Sequence, residues 1–149
     1  MGEEGLAALA RSERIIHAGD VGTPEVLEQL RNIEPVRAVR GNNDRAECAR
    51  SLPSTDVVEA GAYRIYLLHD IAELDIDPAV AGMTAVITGH SHKPVAEIRD
   101  GVLYLNPGSA GPRRFRLPIT VARLRGSASG VDHEIVELSV CMESNGDTR

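Results

Sequence analysis

The chain has no tryptophan, three tyrosines and one phenylalanine. Aromatic residues at 3% of the sequence are too few for the stacking platforms on which single-stranded nucleic acid is held. Positive charge is also short: 16 Lys and Arg against 22 Asp and Glu leave a formal net charge of -6. A sequence-independent grip on nucleic acid needs cations in local excess, so none is expected. Cys48 and Cys141 lie far apart and form no CxxC pair, which excludes a disulfide framework and points to a reducing, cytoplasmic compartment. No apolar run approaches the roughly 20 residues that cross a bilayer, and Met1 is followed by Gly-Glu-Glu in place of a basic, then apolar, leader. The chain therefore reads as unprocessed and free of the membrane.

What is present suits one domain spanning 1–149: a 42% hydrophobic chain of 149 residues can bury a modest core. No repeat or low-complexity block divides it, and Gly126 to Gly130 is a loop of ordinary length. Strand-like apolar runs alternate with helix-like stretches, an α/β rhythm. "GLAALARS" reads as a short helix, "RIIHAGD" as a strand, and "TPEVLEQLRNI" as a helix with Thr23 as N-cap, Pro24 in the first turn and Glu25 favoured by the dipole. "PVRAVR" is expected as a strand, "GNND" as a turn, "DVVEA" and "YRIYLLH" as a hairpin, "DPAVAG" as a short helix and "TAVITGH" as a strand. From Val95 the pattern turns antiparallel, with Asp100-Gly101 as a strong hairpin signal and "ITVARLRGSASGVDHEIVEL" repeating strand, turn, strand. The tail beyond about residue 140 is polar and expected to fray.

Polar clusters stand where the strands run out: Asp20 in "HAGD", Asn42 to Asp44 in "GNND", His69 in "LLHD", His90 and His92 in "GHSHKP". Strand ends are where α/β folds place their sites. Imidazole nitrogen with carboxylate and amide oxygen is the donor set of a borderline divalent cation. In an extended strand the two histidines of His-x-His would face the same way, whereas in a turn, which Ser91 and Lys93-Pro94 favour, they can diverge toward two neighbouring ions. Taken singly, each residue has an ordinary use: Asp20 as a turn carboxylate, Asn42 as a left-handed turn residue, Asp44 as an N-cap. His17 and His133 read as structural or solvated. It is the joint pattern that points to a metal centre.

In order and spacing, "GD", "GNND", "H", "GHSHKP" and the "NPGS" of Asn106 to Ser109 resemble the calcineurin-like metallophosphoesterases, more narrowly the small bacterial and archaeal phosphodiesterase branch in which GNxD replaces GNH[DE]. The resemblance covers nearly all of the chain. It implies an α/β fold, a four-layer α-β-β-α sandwich of two mixed sheets. It also implies that Asp20 bridges two divalent ions, that Asn42, His69 and His90 complete one position, and that His92 belongs to the other. Manganese is favoured by the resemblance, with Ni, Fe or Zn compatible with the same donors. The implied reaction is hydrolysis of a small phosphodiester by a metal-bound hydroxide attacking phosphorus in line. Asn42 is expected to reach the substrate as well. Arg113, Arg114 and Arg116 after the NPGS turn can form a phosphate clamp, although a solvated or subunit-contacting loop is the weightier reading.

Two departures qualify the resemblance. Asn43 stands where the wider superfamily has a histidine that protonates the leaving oxygen, and an amide cannot serve as a general acid near neutral pH. No residue is assigned as general acid, and leaving groups of low pKa are favoured. The family also opens with a strand ending in Asp-x-His ahead of the helix that here reads "GLAALARS", and the sequence begins after that point. The expectation is one well-held ion in place of two, impaired activity, and an open strand edge. That edge implies a homo-oligomer, by dimerisation or swapping, unless the sequence is a shortened form of a longer protein, which is the preferred account. The runner-up function is a metal-poor, non-catalytic interaction scaffold of the same fold, like the retromer subunit; a plain α/β domain is third, disfavoured by the retained ligand set. If the ligand set is right, His90→Ala lowers the metal content of the purified protein more than His17→Ala does. Equal content in the two variants would overturn the assignment.

Overall fold

A computed structural model describes residues 13–19, 24–41, 51–91, 93–108, 120–127 and 130–137. The expected helix "GLAALARS", the GNND turn beyond Gly41 and the polar tail lie outside these residues. The chain enters through a β-α-β unit: β1 (Ile15–His17), α1 (Pro24–Arg31) and β2 (Val36–Ala38). β1 and β2 are parallel, with Ile16 opposite Arg37, so a crossover must join them. α1 serves as that crossover: Glu25 lies in its first turn and Arg31 in its last, each matched to the helix dipole. Leu27 and Leu30, three residues apart, are buried, and Leu27 packs on Ala38 with Val36 and Leu52 at the margin.

Among the described residues the central sheet is mixed and five-stranded. Its strands are β3 (Thr55–Ala60), β4 (Tyr63–Leu68), β5 (Ala85–Ile87), β6 (Val95–Arg99) and β7 (Val102–Asn106), in the order β3-β4-β5-β7-β6. β3 and β4 form the expected hairpin, with Val58 opposite Ile65. Asp100 and Gly101, with φ of 52° and 79°, close a second two-residue hairpin between β6 and β7, the left-handed backbone such a turn requires. β7 is not only antiparallel to β6; it also runs parallel to β5, as β5 does to β4. Leu67, Ile87 and Leu105 lie side by side across those three strands. His69, Thr88 and Asn106 therefore emerge together at the C-terminal ends of these three strands.

Alternation splits the sheet into two buried faces, which is why its strands read as near-continuous apolar runs. Ile65, Leu67, Ala85, Ile87, Leu103 and Leu105 point to one side, where Ile16 and Ala18 and the hairpin residues Ala122, Leu124 and Ile135 pack on them. That hairpin joins β8 (Thr120–Ser127) to β9 (Gly130–Glu137). It lies so close to β4 that a side chain at Gly126 would come within 2.8 Å of the Tyr63 ring, and the Tyr63 hydroxyl donates to the Ser127 carbonyl. On the other side Tyr66, Leu68, Met83, Val86 and Val102 are covered by Leu74, Ile76 and Ala81.

The result is the expected mixed α/β architecture around a mixed sheet, with fewer helical residues. The stretch "DPAVAG" is not a helix. It makes a single turn, with the Ala81 N–H donating to the Asp77 carbonyl and the Met83 N–H to that of Pro78, both at 2.9 Å. Gly82, at φ 81°, ends the turn before further hydrogen bonds can offset the cost of nucleation. Among the described residues no helix is long and apolar enough to cross a membrane. Because Leu67 is fully buried at the middle of the sheet, Leu67→Ala should cost about 2–5 kcal/mol. Val80→Ala, at a residue 84% exposed, should stay within about 0.5 kcal/mol; urea unfolding of both variants measures the contrast.

Candidate metal centre

Where β4 and β5 end, backbone pairing continues one step further. The Gly89 N–H donates to the His69 carbonyl at 2.8 Å, which brings the "LLHD" and "GHSH" segments into contact. His69 is 6% exposed. Its Nδ1 lies 2.6 Å from the carbonyl oxygen of Ala18, and a carbonyl can only accept, so Nδ1 carries the proton. In the neutral ring Nε2 then holds the lone pair, the arrangement in which a histidine binds metal while its other nitrogen is fixed by an acceptor.

His69 Nε2 faces Nδ1 of His90 at 3.3 Å, and the two rings meet edge to face with centroids 5.1 Å apart. Two nitrogens each about 2.1 Å from a shared ion stand roughly 3.0 Å apart at a right angle and roughly 3.4 Å apart at the tetrahedral angle. The observed spacing falls between those values; it is a hydrogen-bond distance between the rings and is also compatible with two positions of one coordination shell. On its far side, His90 Nε2 lies 3.8 Å from Oδ2 of Asp70, whose side chain is 30% exposed. The other Asp70 oxygen accepts from the Ala72 N–H at 3.0 Å, at the start of the 3-10 turn Ile71–Glu73.

The backbone at His90 is not extended. Its φ is 70°, and the Ser91 N–H donates to the Gly89 carbonyl across it at 2.8 Å, closing a three-residue γ-turn. A left-handed histidine costs about 1–3 kcal/mol, held here by its surroundings. Asn106, buried at the end of β7, donates to the Gly89 carbonyl at 2.8 Å and to Ser91 Oγ at 3.2 Å. Its own carbonyl oxygen accepts from the Gly108 N–H at 2.9 Å. The Asn-Pro-Gly segment thus clamps the Gly-His-Ser segment.

The glycines of the motifs answer a steric demand. A side chain at Gly19, where φ is 104°, would meet His69 Nδ1 at 2.5 Å and the Gly41 backbone at 2.9 Å; one at Gly89 would lie 3.2 Å from the Ala18 carbonyl. Gly19, just before Asp20, therefore lies against the His69 ring, and Gly41, just before Asn42, lies against Gly19. Asp20, Asn42 and His92 themselves, like Asn43, Arg113, Arg114 and Arg116, lie outside the described residues. Among the described residues no group of three or more His, Cys, Asp or Glu side chains could hold an ion. His17 accepts from the Gly19 N–H at 3.2 Å through Nδ1, and His133 is exposed on β9. Sequence reasoning missed Asp70 and the Ala18 carbonyl, since neither a carboxylate beside a motif nor a backbone acceptor leaves a pattern.

Residues 2–128 match the calcineurin-like phosphoesterase superfamily domain. The chain belongs to that superfamily. A probable metallophosphoesterase of Methanothermobacter thermautotrophicus is 34% identical over 143 residues, covering 89% of this chain and 81% of that protein. Among solved structures, a phosphodiesterase of archaeal origin superposes with a TM-score of 0.69 at 21% identity, over 90% of this chain and 92% of the other. Vps29 of Entamoeba histolytica, solved with zinc, gives 0.70 at 24% identity over 92% and 89%. These two likenesses establish the fold.

The superfamily chain stores its strain at His90, and the two replacements of that residue separate strain from ligation. His90→Gly accepts a φ of 70° without penalty, whereas His90→Ala keeps most of it. His90→Gly should melt above His90→Ala while both retain less metal than the parent protein. Calorimetry alongside elemental analysis reads both effects.

Proposed function

We propose that the protein is a divalent-metal-dependent phosphodiesterase acting on small phosphodiesters, with manganese the favoured ion. One observation carries this reading: His69 Nε2 and His90 Nδ1 converge at 3.3 Å at the edge where parallel strands end, in a chain of phosphoesterase ancestry. His69 and His90, with Asp20, Asn42 and His92 from the motifs, are the residues that would hold the ions. When bound, such ions supply Lewis acidity toward phosphoryl oxygens and a nucleophile from water at neutral pH. The nitrogen and oxygen donors of these residues suit several borderline ions, and a Vps29 of the same fold was solved with zinc.

The chain's own residues do the positioning. The Ala18 carbonyl holds the proton on His69 Nδ1, and Asn106 holds the turn that aims His90. Beside His90 a cavity of about 170 Å³, walled by Ile71, Val95 and Tyr104 and reached by Asn106 and Ser91, is the place for the ester's organic group. Asp70, Glu97 and Arg99 also line it. With Asn43 unable to donate a proton, alcohols of low pKa leave best; Arg113 and Arg114 are proposed to clamp the phosphate. The two widely spaced cysteines support a cytoplasmic location.

The test is hydrolysis of an aryl phosphodiester by the purified protein. Turnover should vanish with a chelator and return with Mn. It should fall on the order of 10²-fold or more in His69→Ala and His90→Ala. A folded, metal-supplemented protein with no turnover would instead be the non-catalytic interaction scaffold of the same fold.

A further inference from the structure

Among the described residues β6 forms an edge of the central sheet, and all five of its residues are exposed. Ile98 is 71% exposed, a large aliphatic side chain on an outward strand. The turn at Asp100-Gly101 closes the hairpin on the pair Arg99 and Val102. In a two-residue hairpin the closing pair exchanges backbone hydrogen bonds. Alternation from there turns the N–H and C=O of Val95, Glu97 and Arg99 toward β7 and those of Ala96 and Ile98 outward.

We propose that a second copy of this chain docks on this edge, β6 against β6, antiparallel about a two-fold axis at Ile98. A two-fold axis sets each residue against its mirror position, so the strand must complement itself. Centred on Ile98, the outward N–H and C=O of Ile98 meet those of its copy, and Ala96 faces Asp100. Glu97 falls opposite Arg99 at both ends of the pairing.

The charges favour this register over its neighbour. Glu97 and Arg99 project from the same face, where they already pair at 2.8 Å, and the guanidinium packs over the Tyr104 ring at 4.8 Å. The same guanidinium holds the Glu97 carboxyl below its usual range. A copy centred on Ile98 extends that pair into four charges of alternating sign, whereas pairing centred on Glu97 would set carboxylate against carboxylate. Charges on an edge strand ordinarily keep a second strand away. Here their opposite signs, two residues apart, favour a second copy in the register centred on Ile98 over that centred on Glu97, and the pairing joins the two central sheets into one.

Sedimentation equilibrium over roughly a hundredfold concentration range should show the 16.0 kDa chain passing to twice that mass. Glu97→Arg should weaken the dimer roughly tenfold or more, and adding Arg99→Glu should restore it, since the swap rebuilds both cross-strand pairs. In a chain with Cys48→Ser and Cys141→Ser, Ile98→Cys should form a disulfide-linked dimer on oxidation, its copy lying directly opposite. A parent protein that stays monomeric throughout overturns the proposal. So does a dimer indifferent to Glu97→Arg, one that the swap fails to restore, or an Ile98→Cys chain that dimerises without crosslinking.

Discussion

The hydrogen bond from His69 Nδ1 to the Ala18 carbonyl, at 2.6 Å, is the link on which the site depends. His69 belongs to the end of the central sheet's β4, and Ala18 to the turn after β1 in the pair of strands packed across from it. Three arrangements must hold for the two to meet. Leu67 and Ile16 must pack into the same core, Gly19 must take a φ of 104°, and no side chain can occupy the space before the ring. In return the bond settles which imidazole nitrogen keeps its lone pair. Packing, backbone conformation and ligand chemistry are thus one constraint seen at three levels.

His90 shows where stability is given up. A histidine with φ of 70° is there against its own preference, and the surroundings that hold it are polar: the Ser91 amide across the turn and the Asn106 side chain beneath it. Asn106 is buried with its amide and carbonyl both engaged. Replacing it with an apolar side chain would leave the Gly89 carbonyl and the Gly108 amide without a partner they now have. The strain is local and its support comes from the next strand over, which the parallel alignment of β5 and β7 brings level with it.

Much of this was legible in the sequence, and unevenly. The hairpin turn at Asp100-Gly101 and the helix begun by Pro24 were legible because their signals are local: left-handed residues and a first-turn proline mean the same thing in any fold. The motif order was enough to place the chain in its superfamily. "DPAVAG" misled because its residue types suit a helix while its packing does not extend one: Ala81 lies against the cluster of Tyr66 and Met83, Val80 stays 84% exposed, and Gly82 at φ 81° ends the turn. The parallel pairing of β7 with β5 joins strands that are not neighbours in the chain, so no local pattern carries it. The reason for the glycines in GD and GHSH was equally hidden, since it lies in a ring fifty residues from Gly19.

An acidic chain and the proposed anionic substrate look ill-matched, and length resolves the mismatch. At physiological ionic strength a charge is felt over about 8 Å. A nucleic acid lies across a surface many times that length and meets the net charge of -6 over its whole extent. The proposed small diester at His90 would meet only what stands within one screening length of the cavity mouth, where Asp70 and Glu97 are set against Arg99, and bound cations would add to the positive side. A charge balance that disfavours a polyanion is therefore compatible with the proposed small diester, whose organic part would have to fit a space of about 170 Å³.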